Sequence, residues 1–314
     1  MNRRLLLCLI VTLALAAPAA LAESRVEKTL KIEAGGRLEV DTEMGSITVT
    51  GGSGSNVHVV VTSKYRDLDE LLTLRFEDGG KTARIIGRRK GSRFFNWGDG
   101  GRVHFEIEVP TATALDLDTS GGGIIVASIH SEVKLRSSGG SLDVRDVVGE
   151  VDGHTSGGGV RLKTIQGRTR VQTSGGSIDG ADLDGPVTAD TSGGGITMKR
   201  VAGDLKVHSS GGSIHIDGAA GLVDADTSGG GIHASLARGN SRGGRLESSG
   251  GSIDLSLDPN ADLEIDASAS NVKTEVPLRV QGEISRHHLR GTLGKGGASL
   301  RLHTSGGGIR IQPL

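Results

Sequence analysis

The sequence predicts an all-β fold: a single-stranded β-solenoid (β-helix) with about 18 residues per coil and an N-terminal cap or insertion. Three observations predict it. A Thr/Ser-Ser-Gly-Gly phrase recurs at a constant step, apolar and polar residues alternate on both sides of each phrase, and a second glycine follows each pair of alternating segments. A constant period of about 20 residues is typical of solenoids, in which each repeat forms one coil.

The repeat phrase sets the length of the coil. The serine before the two glycines is used here as a marker, and its regular copies recur in constant 18-residue steps, at Ser120, Ser138, Ser156, Ser174, Ser192, Ser210 and Ser228. Less regular copies follow at Ser249, Ser268 and Ser305, and a weaker one surrounds Glu43. Because the phrases alternate between Gly-Gly-Gly and Gly-Gly-Ser endings, a 36-residue coil is the alternative.

Alternation around the marker predicts two short strands per coil. The positions expected to face inward lie five, three and one residues before the marker and four, six and nine residues after it. In the first regular repeat they are Leu115, Leu117, Thr119, Ile124, Val126 and Ile129. Alternation with a period of two indicates strands with one buried face. We expect glycine at each arc because a sharp bend needs positive φ and because stacked arcs leave no room for a Cβ atom.

Charges at the outward positions favour the shorter coil. Four residues before successive markers, Asp116, Lys134, Asp152 and Arg170 alternate in sign. On an 18-residue coil these neighbours lie about 4.8 Å apart with opposite charges, which is favourable. A 36-residue coil would place Asp116 on Asp152 and Lys134 on Arg170, which is unfavourable.

The N-terminus predicts export. Arg3 and Arg4 precede an apolar run that ends in an Ala-x-Ala signature at Ala22, so residues 1–22 are predicted to be a secretory signal peptide. No later stretch has the roughly 18 apolar residues of a membrane span. We therefore expect a periplasmic, extracellular or cell-surface protein. The only cysteine, Cys8, lies inside the predicted signal, so the mature chain contains no disulfide.

The chain is expected to contain four segments. They are the signal peptide (1–22), a first coil and capping strands with an aromatic loop (23–110), the regular array (111–276), and a C-terminal excursion followed by the last coil (277–314). In the second segment, VHVVVTSKY, TARIIG and VHFEIEVP are typical of strands, and a short helix or helical turn is expected near Asp67.

The aromatic loop contains the binding residues that the sequence predicts: Arg93, Phe94, Phe95 and Trp97 cluster in a glycine-rich stretch. Two interpretations remain open. The loop either covers the apolar end of the solenoid, which such folds require, or exposes aromatic side chains to a ligand.

No motif in the sequence predicts catalysis or a cofactor. DTSGGG, with Asp118, Asp190 and Asp226, is similar to the Asp-Thr-Gly of aspartic proteases, but a serine intervenes and the phrase recurs along the array. Phosphate-loop and nucleophile-elbow motifs are missing from the sequence. A net charge of −1 gives no indication of a nucleic-acid partner.

The spacing of the histidines favours their interpretation as ordinary solvated residues over their interpretation as metal ligands. His154 and His208 are expected three coils apart, roughly 14 Å, which is too far to share a metal ion. His215 and His233 are expected in adjacent coils, about 5 Å apart, where a weak surface metal site is the alternative interpretation. We predict no metal site.

The chain resembles a known family. The predicted signal peptide, the Ser-Gly-Gly-(Gly/Ser)-Ile coils and the ending LRGTLGKGGASLRLHTSGGGIRI resemble the DUF4097 group, which carries the label "putative adhesin" and is related to head-GIN and toast-rack envelope domains. The resemblance covers most of residues 30–314. It implies a β-solenoid in the cell envelope or at the surface, and it implies no catalytic residues.

The function expected from the sequence is a non-catalytic, adhesin-like scaffold that presents a flat repeat face to an envelope protein or a glycan. One alternative is a polysaccharide-active β-helix enzyme, and another is an envelope-stress sensing domain. Aromatic residues, which often stack on sugar rings, do not occur in residues 111–276, and this favours the scaffold.

Overall fold

The computed structural model describes residues 24–64, 67–90, 103–280 and 285–314. These residues form a 14-stranded sheet (sheet A) and a 15-stranded sheet (sheet B). Their inward side chains pack into one continuous apolar core that runs the length of the molecule. The all-β solenoid prediction is confirmed.

Before the regular array, the described residues form strands in both sheets and one helical turn. These elements are β1 (Ser24–Lys31), β2 (Arg37–Thr42), β3 (Ser46–Gly52), β4 (Asn56–Ser63), α1 (Leu68–Leu71), β5 (Leu72–Glu77), β6 (Thr82–Arg89) and β7 (Val103–Pro110). The three predicted strand patterns coincide with β4, β6 and β7, and the helical turn follows Asp67 as predicted.

In the regular array the chain alternates between the two sheets, one strand in each per coil. The sheet B strands are β8 (Ala114–Thr119), β10 (Val133–Ser137), β12 (Val151–Thr155), β14 (Thr169–Thr173), β16 (Val187–Thr191), β18 (Leu205–Ser209), β20 (Val223–Thr227) and β22 (Gly244–Ser248). The sheet A strands are β9 (Ile124–Ile129), β11 (Leu142–Val148), β13 (Val160–Gln166), β15 (Ile178–Asp184), β17 (Ile196–Val201), β19 (Ile214–Ala219), β21 (Ile232–Leu236) and β23 (Ile253–Leu257).

Strand register confirms the 18-residue coil. Neighbouring strands of the array are parallel, and Lys134 pairs with Asp116 on one side and with Asp152 on the other. The 36-residue alternative, in which Asp116 would lie on Asp152, is wrong. Opposite charges therefore face each other across adjacent strands, as the sequence predicts.

The six inward positions of each repeat are confirmed, and backbone geometry explains their uneven spacing. In the first regular repeat all six side chains, from Leu115 to Ile129, are buried. Eight residues after the marker, successive coils place a non-glycine residue in the left-handed region, at Ser128, Asp146, Thr164, Asp182 and Arg200, with φ between 53° and 61°. This residue shifts the alternation by one position, so the ninth residue faces inward instead of the eighth.

Substitution of Thr164 tests whether the left-handed residues in this column are strained. A β-branched residue at φ 55° is a steric outlier, and the left-handed conformation costs an L-residue about 1–2 kcal/mol. Glycine removes this strain but loses roughly 0.5–1 kcal/mol more conformational entropy on folding. We therefore expect Thr164→Gly to raise the free energy of unfolding by a net amount of about 0.5–1 kcal/mol. Urea denaturation measures the change. Thr197→Gly, in strand β17, is the matched control and should lower stability; a loss at both positions would contradict the strain.

At the N-terminal end, the first coil of the sequence is not the first in the stack. Strand β2 lies between β6 and β8, and β3 lies between β7 and β9. Strands β6 and β7 therefore form the end coil. Antiparallel strands close it, with β4 and β1 continuing sheet A beyond β7 and β5 continuing sheet B beyond β6.

At the C-terminal end, the last coil of the sequence is inserted inside the stack. The elements there are β24 (Leu263–Ser268), β25 (Val272–Thr274), β26 (Arg279–Val280), β27 (His288–Leu293), β28 (Ala298–Thr304) and β29 (Ile309–Pro313). Strand β28 lies between β22 and β24, and β29 lies between β23 and β25. The excursion that the sequence predicts before the last coil contains β26 and β27, which extend sheet B beyond β24 as antiparallel strands.

Candidate functional site

The repeat phrases form one continuous column of arcs along an edge of the solenoid. Backbone hydrogen bonds join successive arcs: the N–H of Gly157 donates to the carbonyl of Ser138 at 3.2 Å, and the N–H of Gly175 donates to that of Ser156 at 3.0 Å. The same bond joins Gly193 to Ser174 at 3.0 Å. The arcs are thus aligned between coils.

A buried hydroxyl ties each arc to the one before it. Thr173 Oγ1 donates to the carbonyl of Gly158 at 2.7 Å and accepts the N–H of Gly176 at 3.2 Å. The same pair of bonds is made by Thr119, Ser137, Thr191, Ser209, Thr227, Ser248 and Thr304. Because each hydroxyl both donates and accepts within the backbone, this column has a structural role.

In the regular array, the second glycine of each arc is required by close packing and not by its φ angle. A Cβ atom on Gly140 would lie 2.1 Å from the carbonyl oxygen of Gly122. Gly122 and Gly140 have negative φ, so the expectation of positive φ is wrong for the arcs of the regular array, whereas the weaker first copy does have positive φ, at Gly45 (103°). Positive φ occurs instead at coil-closing glycines such as Gly149 (154°) and Gly167 (141°).

Outward side chains of sheet B form a charged surface, which we call the ladder face. It consists of two columns of the array, one four and one two residues before each marker. Its members are Asp116, Asp118, Lys134, Arg136, Asp152, His154, Arg170, Gln172, Thr188, Asp190, Lys206, His208, Asp224, Asp226, Arg245 and Glu247. Each column follows consecutive strands, so its side chains are spaced by one strand, about 4.8 Å.

Some ladder charges form ion pairs and others do not. Arg136 contacts Asp116 at 3.2 Å, and His208 Nδ1 lies 2.8 Å from Asp226. By contrast, Asp152, Arg170 and Lys206 are exposed and make no side-chain hydrogen bond or ion pair within the part of the chain that the structure describes. These three charges are therefore available to a partner.

The DTSGGG aspartates are spread along the ladder face. Asp118 and Asp190 are four coils apart, roughly 19 Å, so they do not form a dyad. Asp118 does pair in register with Asp41. Burial and then the negative charge of Asp41 raise the pKa of the Asp118 carboxyl, while a hydrogen bond from Arg88 lowers the pKa of Asp41. The pair lies on the outer face of sheet B.

The two histidines that are predicted to lie in adjacent coils have their rings in contact. His215 and His233 are register partners on β19 and β21, with ring centroids 4.8 Å apart at an interplanar angle of 67°. His233 Nε2 lies 3.2 Å from Asp254 Oδ2 on the next strand. These side chains line a shallow groove on the outer face of sheet A, together with Lys199 and Asp217. Among the described residues, no group of three or more His, Cys, Asp or Glu side chains could hold a metal ion.

Two predictions fall outside the described residues. The binding residues Arg93, Phe94, Phe95 and Trp97 lie in the undescribed segment 91–102, and the signal peptide lies in the undescribed segment 1–23. Both remain predictions. Within the described ranges, no helix has the length and apolar character needed to cross a membrane.

Solved structures that are similar to this chain include the following three. A "putative cell adhesion protein" from Clostridium sporogenes ATCC 15579 is 11% identical over 93% of this chain and 100% of its own, with a TM-score of 0.22. A "putative adhesin" from Bacteroides fragilis NCTC 9343 is 12% identical over 94% and 99%, with a TM-score of 0.35. A "putative lipid binding protein" from Parabacteroides distasonis ATCC 8503 is 12% identical over 93% and 97%, with a TM-score of 0.42.

A search of curated proteins finds no match. A family model described as Toastrack DUF4097 matches residues 36–312, which include both the solenoid array and the inserted coils at its two ends. The chain therefore belongs to the Toastrack DUF4097 family.

Proposed function

We propose that this protein is a non-catalytic binding scaffold, secreted or held in the cell envelope, whose ladder face contacts a protein or a glycan in an adhesin-like manner. The observation that supports it is the set of exposed charges, Asp152, Arg170 and Lys206, that make no side-chain hydrogen bond or ion pair with any described residue. Their signs alternate between the first two coils, and the side chains project from strands that are hydrogen-bonded on both edges.

The ladder face is suited to an extended partner. Its strands are fixed by parallel neighbours, so little backbone has to be ordered on binding, which lowers the entropic cost of association. Rigid repeat surfaces of this kind are used for long contacts. Charges at constant spacing determine the register of the partner and speed its association, and they act less strongly at high salt.

The surface differs from the active site of a polysaccharide-active enzyme. Such a site needs clustered carboxylates in a groove, and the DTSGGG carboxylates are spread over several coils of a flat face. The array also has no aromatic residue to stack on a sugar ring. A screen against polysaccharides tests this alternative: turnover that is abolished by one Asp or Glu substitution would contradict the scaffold.

Charge reversal on the ladder face tests the proposal. Because like charges across an interface cost several kcal/mol, we expect Arg170→Glu with Lys206→Glu to weaken partner binding at least about tenfold. The mature chain is crosslinked to the envelope fraction, partners are identified by mass spectrometry, and affinity is then measured with the purified partner. If the protein is instead an envelope-stress sensor, the crosslinking experiment should identify a membrane-bound regulator as its partner.

The matched control reverses two exposed positive charges on the outer face of sheet A, Arg145→Glu with Lys163→Glu. It changes the net charge by the same amount and should leave binding unaltered. Both double variants are first shown to fold by circular dichroism. Loss of binding in the control alone, or equal binding by both variants, would contradict the assignment of the ladder face.

A further inference from the structure

A pair of imidazoles on the outer face of sheet A has the arrangement of a metal chelate. His215 and His233 are exposed register partners on adjacent parallel strands, and their ring centroids are 4.8 Å apart. Metal–nitrogen bonds are about 2.0–2.1 Å long, so one ion between the rings can bind a nitrogen from each. The spacing of about 4.8 Å between neighbouring strands fits this geometry without moving the backbone.

A carboxylate orients one of the two rings. His233 Nε2 lies 3.2 Å from Asp254 Oδ2, so when Nε2 carries the proton, Nδ1 is the nitrogen that keeps a lone pair for a metal ion. Such a contact between a ligand histidine and a carboxylate is a common second layer around protein-bound metals, and it makes the histidine a stronger ligand. His215 makes no hydrogen bond among the described residues, so its nitrogens are available.

The charged groups around the pair balance one another. The groove contains the carboxylates of Asp217 and Asp254 and the ammonium group of Lys199. Lys199 pairs in register with Asp217 and Arg310 pairs in register with Asp254, so each carboxylate has a basic neighbour and the two imidazoles supply the protein ligands. The remaining lining groups are neutral, and they include hydroxyls and the Gln312 amide.

We propose that His215 and His233 bind one divalent late transition-metal ion, with Asp254 orienting His233 and water completing the coordination. Two imidazole nitrogens with oxygen ligands suit tetragonal Cu²⁺ or Ni²⁺, and the Irving–Williams order makes Cu²⁺ the tightest. A site with two protein ligands is compatible with the lack of any three-residue cluster in the described part of the chain. The site is independent of the ladder face, which lies on the other sheet.

Titration of the untagged mature chain with CuCl₂ tests the site. We expect one preferred Cu²⁺ equivalent by calorimetry, with an electron paramagnetic resonance spectrum that shows coupling to two imidazole nitrogens. His215→Gln or His233→Gln should each lower the affinity at least about tenfold and remove one coupled nitrogen. Asp254→Asn should lower the affinity by roughly tenfold while both nitrogens remain coupled.

Two control variants localise the effect. His154→Gln, on the ladder face, and His287→Gln, in the C-terminal excursion, should leave the Cu²⁺ affinity and spectrum unchanged. Circular dichroism establishes that every variant is folded. Unchanged affinity in His215→Gln, a spectrum with a single coupled nitrogen, or a preferred site that disappears in His287→Gln would overturn the proposal.

Discussion

Gly140→Ala should lower the free energy of unfolding by about 3 kcal/mol or more, whereas Gly139→Ala, one residue earlier in the same arc, should leave it unchanged or raise it slightly. The difference arises from the distance to the preceding coil. A Cβ atom on Gly140 would lie 2.1 Å from the Gly122 oxygen and 2.2 Å from its carbonyl carbon. On Gly139, the nearest atom is the Gly121 oxygen at 3.6 Å, an ordinary contact.

The backbone of Gly122 cannot easily move away. Its carbonyl accepts the Ser137 hydroxyl at 2.9 Å, and that hydroxyl also accepts the N–H of Gly140 at 2.9 Å. Overpacking alone typically costs about 1–3 kcal/mol, and each net hydrogen bond lost adds about 1 kcal/mol. At Gly139, where φ is negative, alanine is tolerated and can add up to about 1 kcal/mol by restricting the unfolded chain.

Urea denaturation of the two alanine variants, followed by circular dichroism, measures the difference. Gly157→Ala extends the comparison, because its Cβ atom would lie at an intermediate 3.1 Å from the Gly139 oxygen. We expect its stability to fall between the other two. Equal destabilisation by Gly139→Ala and Gly140→Ala would show that close stacking of the arcs does not determine the glycine pattern.

Deletion of residues 298–314 should prevent the C-terminal third of the solenoid from folding. The deletion removes β28 and β29, and with them the buried side chains of Leu300, Leu302, Ile309 and Ile311. At about 1.5–3 kcal/mol each, these four account for roughly 6–12 kcal/mol, which is comparable to the whole stability of a typical domain. Strands β22 and β23 would also each lose one of their two parallel neighbours.

Size-exclusion chromatography and thermal denaturation test the deletion. We expect the truncated chain to aggregate, or to lose protection from hydrogen exchange from β20 to β25. Removal of Leu314 alone is the control and should have little effect, since this residue is 46% exposed and follows the last strand. A truncated chain that stays monomeric with an unchanged melting temperature would contradict the insertion of the last coil.

Sequence reasoning succeeds where the pattern is local and repeated. The six inward positions follow from alternation with a period of two, and the buried residues from Leu115 to Ile129 match it. Outward charges decide the coil length because neighbouring strands must place Lys134 beside Asp116 and Asp152. The same logic places His215 beside His233, so one candidate site could be predicted from spacing alone.

Other features could not be predicted, because they depend on which of several similar strands pair with each other or on backbone geometry that the sequence pattern does not mark. The inserted coil β28–β29 carries the same phrase as every other coil, so nothing local indicates that it lies inside the stack. The left-handed column has non-glycine residues at Thr164 and four equivalent positions and a glycine only at Gly218, so no repeated glycine in the sequence reveals it. Asp254 pairs with His233 across a repeat that is longer than the regular ones, because the turn before β22 has extra residues around the buried Asn240.

A spin-label distance tests the central claim, that each 18-residue repeat is one coil and that the arcs form a single column. The chain from Glu23 onward contains no cysteine, so Ser120→Cys with Ser228→Cys can be labelled selectively at two exposed markers. Six coil steps of about 4.8 Å predict a narrow distribution of backbone separations centred at about 29 Å. A separation of about 14 Å, which three steps of a 36-residue coil would give, or a broad distribution would contradict the account.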